Sequence, residues 1–208
     1  ENVIVRNLMI MGGGRVGEMV AHGMETRIEK VRVIELDPHR CQELTVTLPR
    51  TLIIHGDARN ADLLLEEDLT AMDAFVAVTS SSEANILSCM AAKRAGVKKT
   101  IAQVENLDYI KLAEGVGVDA TINKKLITAS RIFRLTMVGD VPSMKCLHGT
   151  DAEVIEFIVK PRSLATQKKV QDLNFPRQAI IGGITRGNTS LIVRGETEIK
   201  PYDRVVVF

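Results

Sequence analysis

The chain has 208 residues, 45% of them hydrophobic and 25% charged, an ordinary globular mix that can bury roughly 70% of its unfolded surface as one large domain or two small ones. A formal net charge of +1 argues against a nucleic-acid partner and against an anionic membrane surface, and no apolar run approaches the roughly 18 residues that insertion across a bilayer requires. Cys41, Cys89 and Cys146 are odd in number and widely spaced, with no Cys-x-x-Cys pair, which favours reduced thiols in a cytoplasmic compartment over a disulfide scaffold or a zinc site.

From the start to about residue 125, short β-rich runs alternate with helical patterns. The predicted strands are Leu8–Met11, Val31–Ile34, Leu52–Ile54, Ala74–Val78 and Thr100–Val104, several of them apolar on both faces as parallel strands covered by helices are. Between the first two strands, Val16, Met19, Val20 and Met24 recur at helical spacing. Between the fourth and fifth, Ile86, Leu87, Met90 and Ala91 do the same, behind Ser80 and Glu83, which fit a capping box. A further helix is predicted from Leu107 to Val116 with Asn106 as its cap. This alternation implies right-handed βαβ units and a Rossmann-type, doubly wound α/β sheet. A helical stretch from Lys124 to about Met137 leads to Gly139-Asp140-Val141-Pro142, which reads as a boundary. The remainder is mostly β, with strands at Val154–Val159, Ala179–Ile181, Leu191–Val193 and Arg204–Phe208, a two-residue hairpin signal at Gly187-Asn188, and a short helix from Gln167 to Leu173. The expected organisation is a nucleotide-binding domain over 1–140, a linker over 141–148 and a small α+β domain over 149–208.

Gly12-Gly13-Gly14-Arg15-Val16-Gly17 follows a strand and opens a helix, the setting that a dinucleotide fingerprint requires. Gly12 permits the tight turn, Gly14 lets a pyrophosphate approach the backbone, and Gly17 allows the helix to pack on the strand. The N–H groups of the first turn, at Arg15 and Val16, then face the phosphates, and the Arg15 side chain is a candidate phosphate clamp. Glu35 ends the second strand 18 residues after Gly17, where a carboxylate accepts both ribose hydroxyls and repels a 2′-phosphate. NAD(H) or ATP/ADP is therefore favoured over NADPH. Asp37 is a second candidate for that role, and Arg40 weakens the exclusion of NADPH. Gly56-Asp57-Ala58 follows the third strand and is placed to contact the adenine edge. Thr79-Ser80-Ser81 follows the fourth and is expected to point hydroxyls at the middle of the dinucleotide.

A dehydrogenase needs a base and a substrate pocket as well. His22, His39, His55 and His148 do not fall where a substrate-facing base is expected, and no Tyr-x-x-x-Lys pair occurs. Cys89 reads as core. The residues describe a receptor for a nucleotide rather than an enzyme.

Ile10–Gly17, Val33–Pro38, His55–Ala58, Ala77–Ile86 and Leu112–Asp119, with the β-rich tail around Gly195-Glu196-Thr197 and Ile199–Val207, resemble the RCK family, the regulators of potassium conductance, in the form that serves Trk-type potassium transporters. The resemblance covers nearly the whole chain. It implies a cytoplasmic regulatory subunit that binds NAD(H) or ATP/ADP and gates a membrane potassium-transport subunit, assembled as a homo-oligomer or a ring of tandem repeats. It places Gly12, Gly14, Gly17, Glu35, Asp57 and Thr79 in the nucleotide cleft, with Asn85 as a further contact. The Glu1 start fits an excised unit of a longer chain. Tyr202 stands where the family commonly has glycine, implying a different turn. The expected mechanism is a ligand-biased switch, with the Lys124–Met137 helix passing the bias on. Three rivals remain: an NAD-dependent oxidoreductase, a redox-sensing DNA-binding repressor, and a ring-assembly unit that has lost its ligand.

Overall fold

The structure is a computed structural model that describes residues 3–136, 143–146 and 153–208. It comprises two compact units, residues 1–125 and 126–208. In the first, β1 (Asn7–Met11), α1 (Arg15–Met24), β2 (Lys30–Glu35), α2 (Pro38–Thr47), β3 (Leu52–His55), α3 (Ala61–Glu66), β4 (Ala74–Ala77), α4 (Ser82–Arg94), β5 (Lys99–Gln103), α5 (Asp108–Gly115) and β6 (Ala120–Ile122) alternate along the chain. The six strands are all parallel, in the order β3-β2-β1-β4-β5-β6. The five strands expected from the sequence are present. The sixth, β6, is a three-residue edge strand whose brevity hides it from periodicity. The strand order reverses between β1 and β4, so their carboxyl ends diverge and open a crevice there.

Burial on both faces of the central strands explains their unbroken apolar runs. Leu8, Ile10, Val31, Val33, Ala74 and Val76 pack with Ala21 of α1 and Leu44 and Leu48 beyond it. The alternate positions Met9, Ile34, Phe75 and Ala77 are also buried and face the other way by the two-residue period of a strand. Two helix faces differ from the sequence reading. Met19 is 74% exposed on α1, whose buried residues are Gly17 and Ala21. Leu87 is exposed on α4, where Ile86, Cys89 and Ala92 face inward together with Ser82, Asn85 and Ser88. Ser82 and Asn85 in that stripe are bonded to neighbouring segments, so hydrophobic periodicity alone rotates the face assigned to α4.

The second unit takes in most of α6 (Lys124–Thr136) and an antiparallel sheet of β7 (Ser143–Cys146), β8 (Glu153–Ile158), β9 (Ile181–Arg186), β10 (Thr189–Ile192) and β11 (Arg204–Val207), ordered β10-β9-β11-β8-β7. Its core is Val159, Ile181, Ile184, Ile199 and Val205. β7 falls inside the stretch expected as a linker over 141–148, and the units divide at 125/126 rather than near 140. The boundary motif Gly139–Pro142 and His148 lie outside the described residues. The strand expected at Ala179–Ile181 begins at Ile181 and runs on to Arg186. The helix expected over Gln167–Leu173 is two 3-10 turns, Leu164–Thr166 and Val170–Asp172. Extended Lys169 bridges to Glu198 between them, and Val170 N–H donates to Thr197 O, so the segment is stitched to another loop instead of bonding to itself. The Gly187-Asn188 hairpin is as expected: Arg186 pairs with Thr189, and Gly187 takes φ +57° at the first central position, the type II′ preference.

Tyr202 adopts φ +68°, a left-handed conformation that glycine takes at little expense. It is exposed, and its N–H donates to Val159 O at 2.7 Å. The next residue, Asp203, is almost fully buried. Its carboxylate accepts Arg186 Nε and a terminal guanidinium nitrogen at 2.8 and 2.7 Å, and Lys200 N–H at 2.8 Å. The Arg186 bonds hold the Asp203 carboxyl below its ordinary range.

Two expectations follow for this unit. Tyr202→Gly removes a left-handed penalty of about 1–2 kcal/mol against a smaller glycine entropy term, so hydrogen-exchange protection of β9 and β11 should rise by up to about 1 kcal/mol. Arg186→Met strands the Asp203 carboxylate without its cation and should lower that protection at neutral pH. Because the folded carboxyl titrates low, the Asp203 contribution is complete above the unfolded value of about 3.9. It is lost as pH falls through the folded value, and an acid titration should show the two proteins converging there.

Candidate nucleotide site

The crevice between β1 and β4 is bounded by the glycine loop, and each glycine answers a different contact. Gly12 takes φ +100° as the chain leaves β1, and its N–H donates to Ile34 O at 2.9 Å. A Cβ on Gly17 would stand 1.9 Å from Gly12 O and 3.5 Å from Ile10, so Gly17 is required chiefly by the turn and only secondarily by the strand. A Cβ on Gly13 would meet Leu44 at 2.4 Å. A Cβ on Gly14 would meet nothing within 4 Å. Its space is the open cleft, which Gly14 lines. Gly14 is also the N-cap of α1 and supplies no capping side chain, leaving the first-turn N–H groups at Arg15, Val16 and Gly17 as an anion-binding end.

Glu35 stands across the cleft from that end. One oxygen, Oε2, accepts Gly13 N–H at 2.6 Å and the other, Oε1, accepts Asp37 N–H at 2.9 Å. Each carboxylate oxygen keeps further acceptor capacity for a ribose hydroxyl. Asp37 caps α2, its carboxylate accepting His39 N–H at 2.9 Å, and it does not line the cleft. Arg40 is not free to meet a 2′-phosphate: its Nε donates to Gly13 O at 2.8 Å and its terminal nitrogens bind Glu18 at 2.6 Å and Glu43 at 2.7 Å. The bond from Arg40 draws the Glu18 carboxyl below its ordinary range, and Glu43 and Glu18 raise Arg40 in turn. The weakened exclusion of NADPH expected from Arg40 is therefore corrected.

The cleft has a volume of about 470 Å3 and is lined by Gly12, Gly14, Glu35, Asp57, Ala58, Thr79 and Ser80 among the expected residues. Arg59, which the sequence reading passed over, lines it too. Its guanidinium grips both oxygens of Asp57 at 2.6–3.1 Å and lowers that carboxyl to about 2. Thr79 and Asn85 depart from expectation. The Thr79 hydroxyl donates to Asn85 Oδ1 at 2.7 Å, and Asn85 Nδ2 donates to Thr79 O and Gln103 O at 3.0 and 2.8 Å. Asn85 is wholly buried and does not line the cleft; its amide braces the loop that does. Ser81, not Ser80, caps α4, accepting Ala84 N–H at 3.1 Å, because the helix begins one residue later than the capping-box spacing implied. Larger depressions of about 720 and 710 Å3 lie around Asp73 and around Lys169. Neither has a glycine loop, and the first is at the amino ends of the strands, away from the edge where open α/β sheets bind ligands.

The TrkA-N domain model matches residues 8–124 and the TrkA-C domain model residues 154–208. The chain belongs to the TrkA family. It is 36% identical over 205 residues to a Trk system potassium uptake protein TrkA homolog of Archaeoglobus fulgidus, covering 99% of this chain and 46% of that one. It is 34% identical to the Trk system potassium uptake protein TrkA of Haemophilus influenzae, covering 98% and 45%. The chain thus spans about half the length of these relatives. Among solved structures, the GsuK channel bound to NAD superposes with a TM-score of 0.62 at 15% identity, over all of this chain and 38% of that one. The TrkA-N domain of the inner membrane protein ybaL from Escherichia coli gives 0.59 at 17% identity, over 64% and 98%. At these identities the structural likeness bears on fold alone.

In the TrkA-N domain, His22, His39 and His55 are all exposed, and His55 Nε2 lies 3.1 Å from Leu36 O beside the cleft mouth. Cys89 is buried, and desolvation pushes its thiol up to about 12. Among the described residues there is no group of three or more His, Cys, Asp or Glu that could hold a metal ion. The glycine contacts yield a paired expectation. Gly17→Ala forces the loop apart and should destabilise the TrkA-N domain by about 1–3 kcal/mol. Gly14→Ala should cost no more than about 1 kcal/mol in thermal denaturation while abolishing nucleotide binding in calorimetry. Equal destabilisation by the two would contradict the division of labour.

Proposed function

We propose that this unit is a nucleotide-sensing regulatory module of a Trk-type potassium uptake system, binding NAD(H) in the β1–β4 crevice and biasing a membrane potassium-transport subunit. The observation that carries the reading is Glu35, set at the end of β2 against the glycine loop with both oxygens at the rim of the cleft. A carboxylate there accepts the two ribose hydroxyls of an adenosine half while the uncapped end of α1 meets the pyrophosphate. The charge of the lining favours a dinucleotide over a triphosphate. Glu35 and Asp57 contribute carboxylates, and the cation lining the cleft, Arg59, is already spent on Asp57. ATP/ADP is the alternative ligand.

The relatives are Trk potassium uptake proteins, which supports the regulatory assignment, and GsuK structures of the same fold hold NAD and ADP, which supports the ligand class. No helix among the described residues is long and apolar enough to cross a membrane, and the reading assigns the potassium pathway to a separate membrane subunit. In this reading the module works on the cytoplasmic side as part of a homo-oligomer or tandem-repeat ring, binds no nucleic acid and carries out no catalysis. Because a ligand shifts an equilibrium only through different affinities for its states, NAD and NADH must bind with different geometry or strength.

Isothermal titration with NAD, NADH, ADP and ATP tests the proposal. The expected result is binding below millimolar, tighter for NAD(H), and a loss of about tenfold or more in Glu35→Ala, the worth of a charge-assisted hydrogen bond. Absence of binding by all four nucleotides overturns it. Wild-type affinity in Glu35→Ala removes the residue on which it rests.

A further inference from the structure

The peptide between Gly13 and Gly14 is held from outside the cleft. Arg40 Nε donates to Gly13 O at 2.8 Å, while the same guanidinium reaches Glu18 on the first turn of α1 at 2.6 Å and Glu43 on its own helix at 2.7 Å. On the other side of the same residue, Gly13 N–H is held by Glu35 at 2.6 Å. Gly13 is therefore clamped at both its amide and its carbonyl by ionised side chains from β2 and α2. Peptide bonds among the described residues are trans, and in a trans peptide the C=O and the following N–H point in opposite directions. Fixing Gly13 O toward Arg40 thus fixes Gly14 N–H away from Arg40. Gly14 lines the cleft, Arg40 does not, and the space beside Gly14 is open.

We infer that Arg40 is a positioning residue that orients Gly14 N–H toward a ligand phosphate through its bond to Gly13 O. The inference rests on the nucleotide reading above and adds a residue that never touches the ligand. Arginine suits the task because its fork spans a carbonyl and a carboxylate at once, which a lysine ammonium on a single stem does not. The ion pair with Glu18 has a separate effect. It neutralises a carboxylate one turn into α1, close to where a phosphate binds, so removal of Arg40 also exposes the ligand to that charge.

The two effects separate experimentally. Binding of adenosine and of ADP is measured by calorimetry, or by displacement where adenosine is weak, in wild type, Arg40→Met, Arg40→Lys and the double variant Arg40→Met/Glu18→Gln. The Gly14 amide is followed by 15N–1H shifts during the ADP titration. The expected result is that the ratio of ADP to adenosine affinity falls about tenfold in Arg40→Met, with adenosine affinity within about twofold of wild type. It should stay low in Arg40→Lys and in the double variant, and the ADP-induced shift of the Gly14 amide should shrink in all three. A ratio restored to the wild-type value in the double variant, or adenosine and ADP weakened alike, overturns the positioning role. Wild-type binding of ADP with an unchanged ratio in Arg40→Met overturns this inference alone. A wild-type chain that binds neither ligand overturns the nucleotide reading and this inference with it.

Discussion

The 1.9 Å that would separate a Gly17 Cβ from Gly12 O states the constraint on which the site depends: the loop must fold back onto the first turn of its own helix. Only with both residues bare does α1 start directly over the end of β1, placing its uncapped N–H groups at the switch in strand order. Everything else at the site is arranged around that turn. Gly12 leaves the strand with a positive φ and keeps its N–H on Ile34. Gly13 is then close enough to β2 for Glu35 to hold it, which fixes the carboxylate at the rim rather than in solvent. The tight contacts of the loop fall at Gly12, Gly13 and Gly17, while Gly14 between them faces open space.

The same economy governs charge. Arg40, Arg59 and Lys124 are basic residues near the carboxyl edge of the sheet, and each has a carboxylate partner: Glu18 and Glu43, Asp57, and Glu105. The cation that lines the crevice, Arg59, is thus paired, while Arg15 at the first position of α1 is exposed beside it. In the proposed reading, the phosphates meet backbone N–H groups and the helix end, which offer about half a charge in fixed directions. Directional partial charge suits a diphosphate bridge, whereas a dense anion gains most from mobile cations.

Much of this was legible in the residues. The five apolar runs, the Gly-x-Gly-x-x-Gly spacing and Glu35 specify the sheet, the loop and the rim carboxylate because each depends on local sequence and a fixed period. What escaped the reading depends on contacts between distant segments. Asn85 looks like a position on a polar helix face, yet it is buried because Thr79 and Gln103, six and 18 residues away, supply all its partners. Arg40 looks available to a 2′-phosphate until Glu18 is brought beside it from α1; Arg59, by contrast, was passed over although its partner Asp57 is only two residues away. The α4 face was rotated by the same effect, since a serine or asparagine satisfied by a neighbouring loop counts as core but scores as surface. In the second unit, the failed helix over Gln167–Leu173 is a competition in which the Glu198 loop, contributed from far downstream, outbids local propensity.

The buried Asn85 amide also bears on the thermodynamics of recognition. Its Oδ1 takes both the N–H and the hydroxyl of Thr79, and its Nδ2 takes carbonyls at the ends of β4 and β5. The segment after β4 is therefore already ordered before a ligand arrives. A site whose walls need no ordering gives up little conformational entropy on association and has no slow closing step to limit encounter. In the proposed reading, this wall of the cleft adds no ordering step to the capture of a nucleotide.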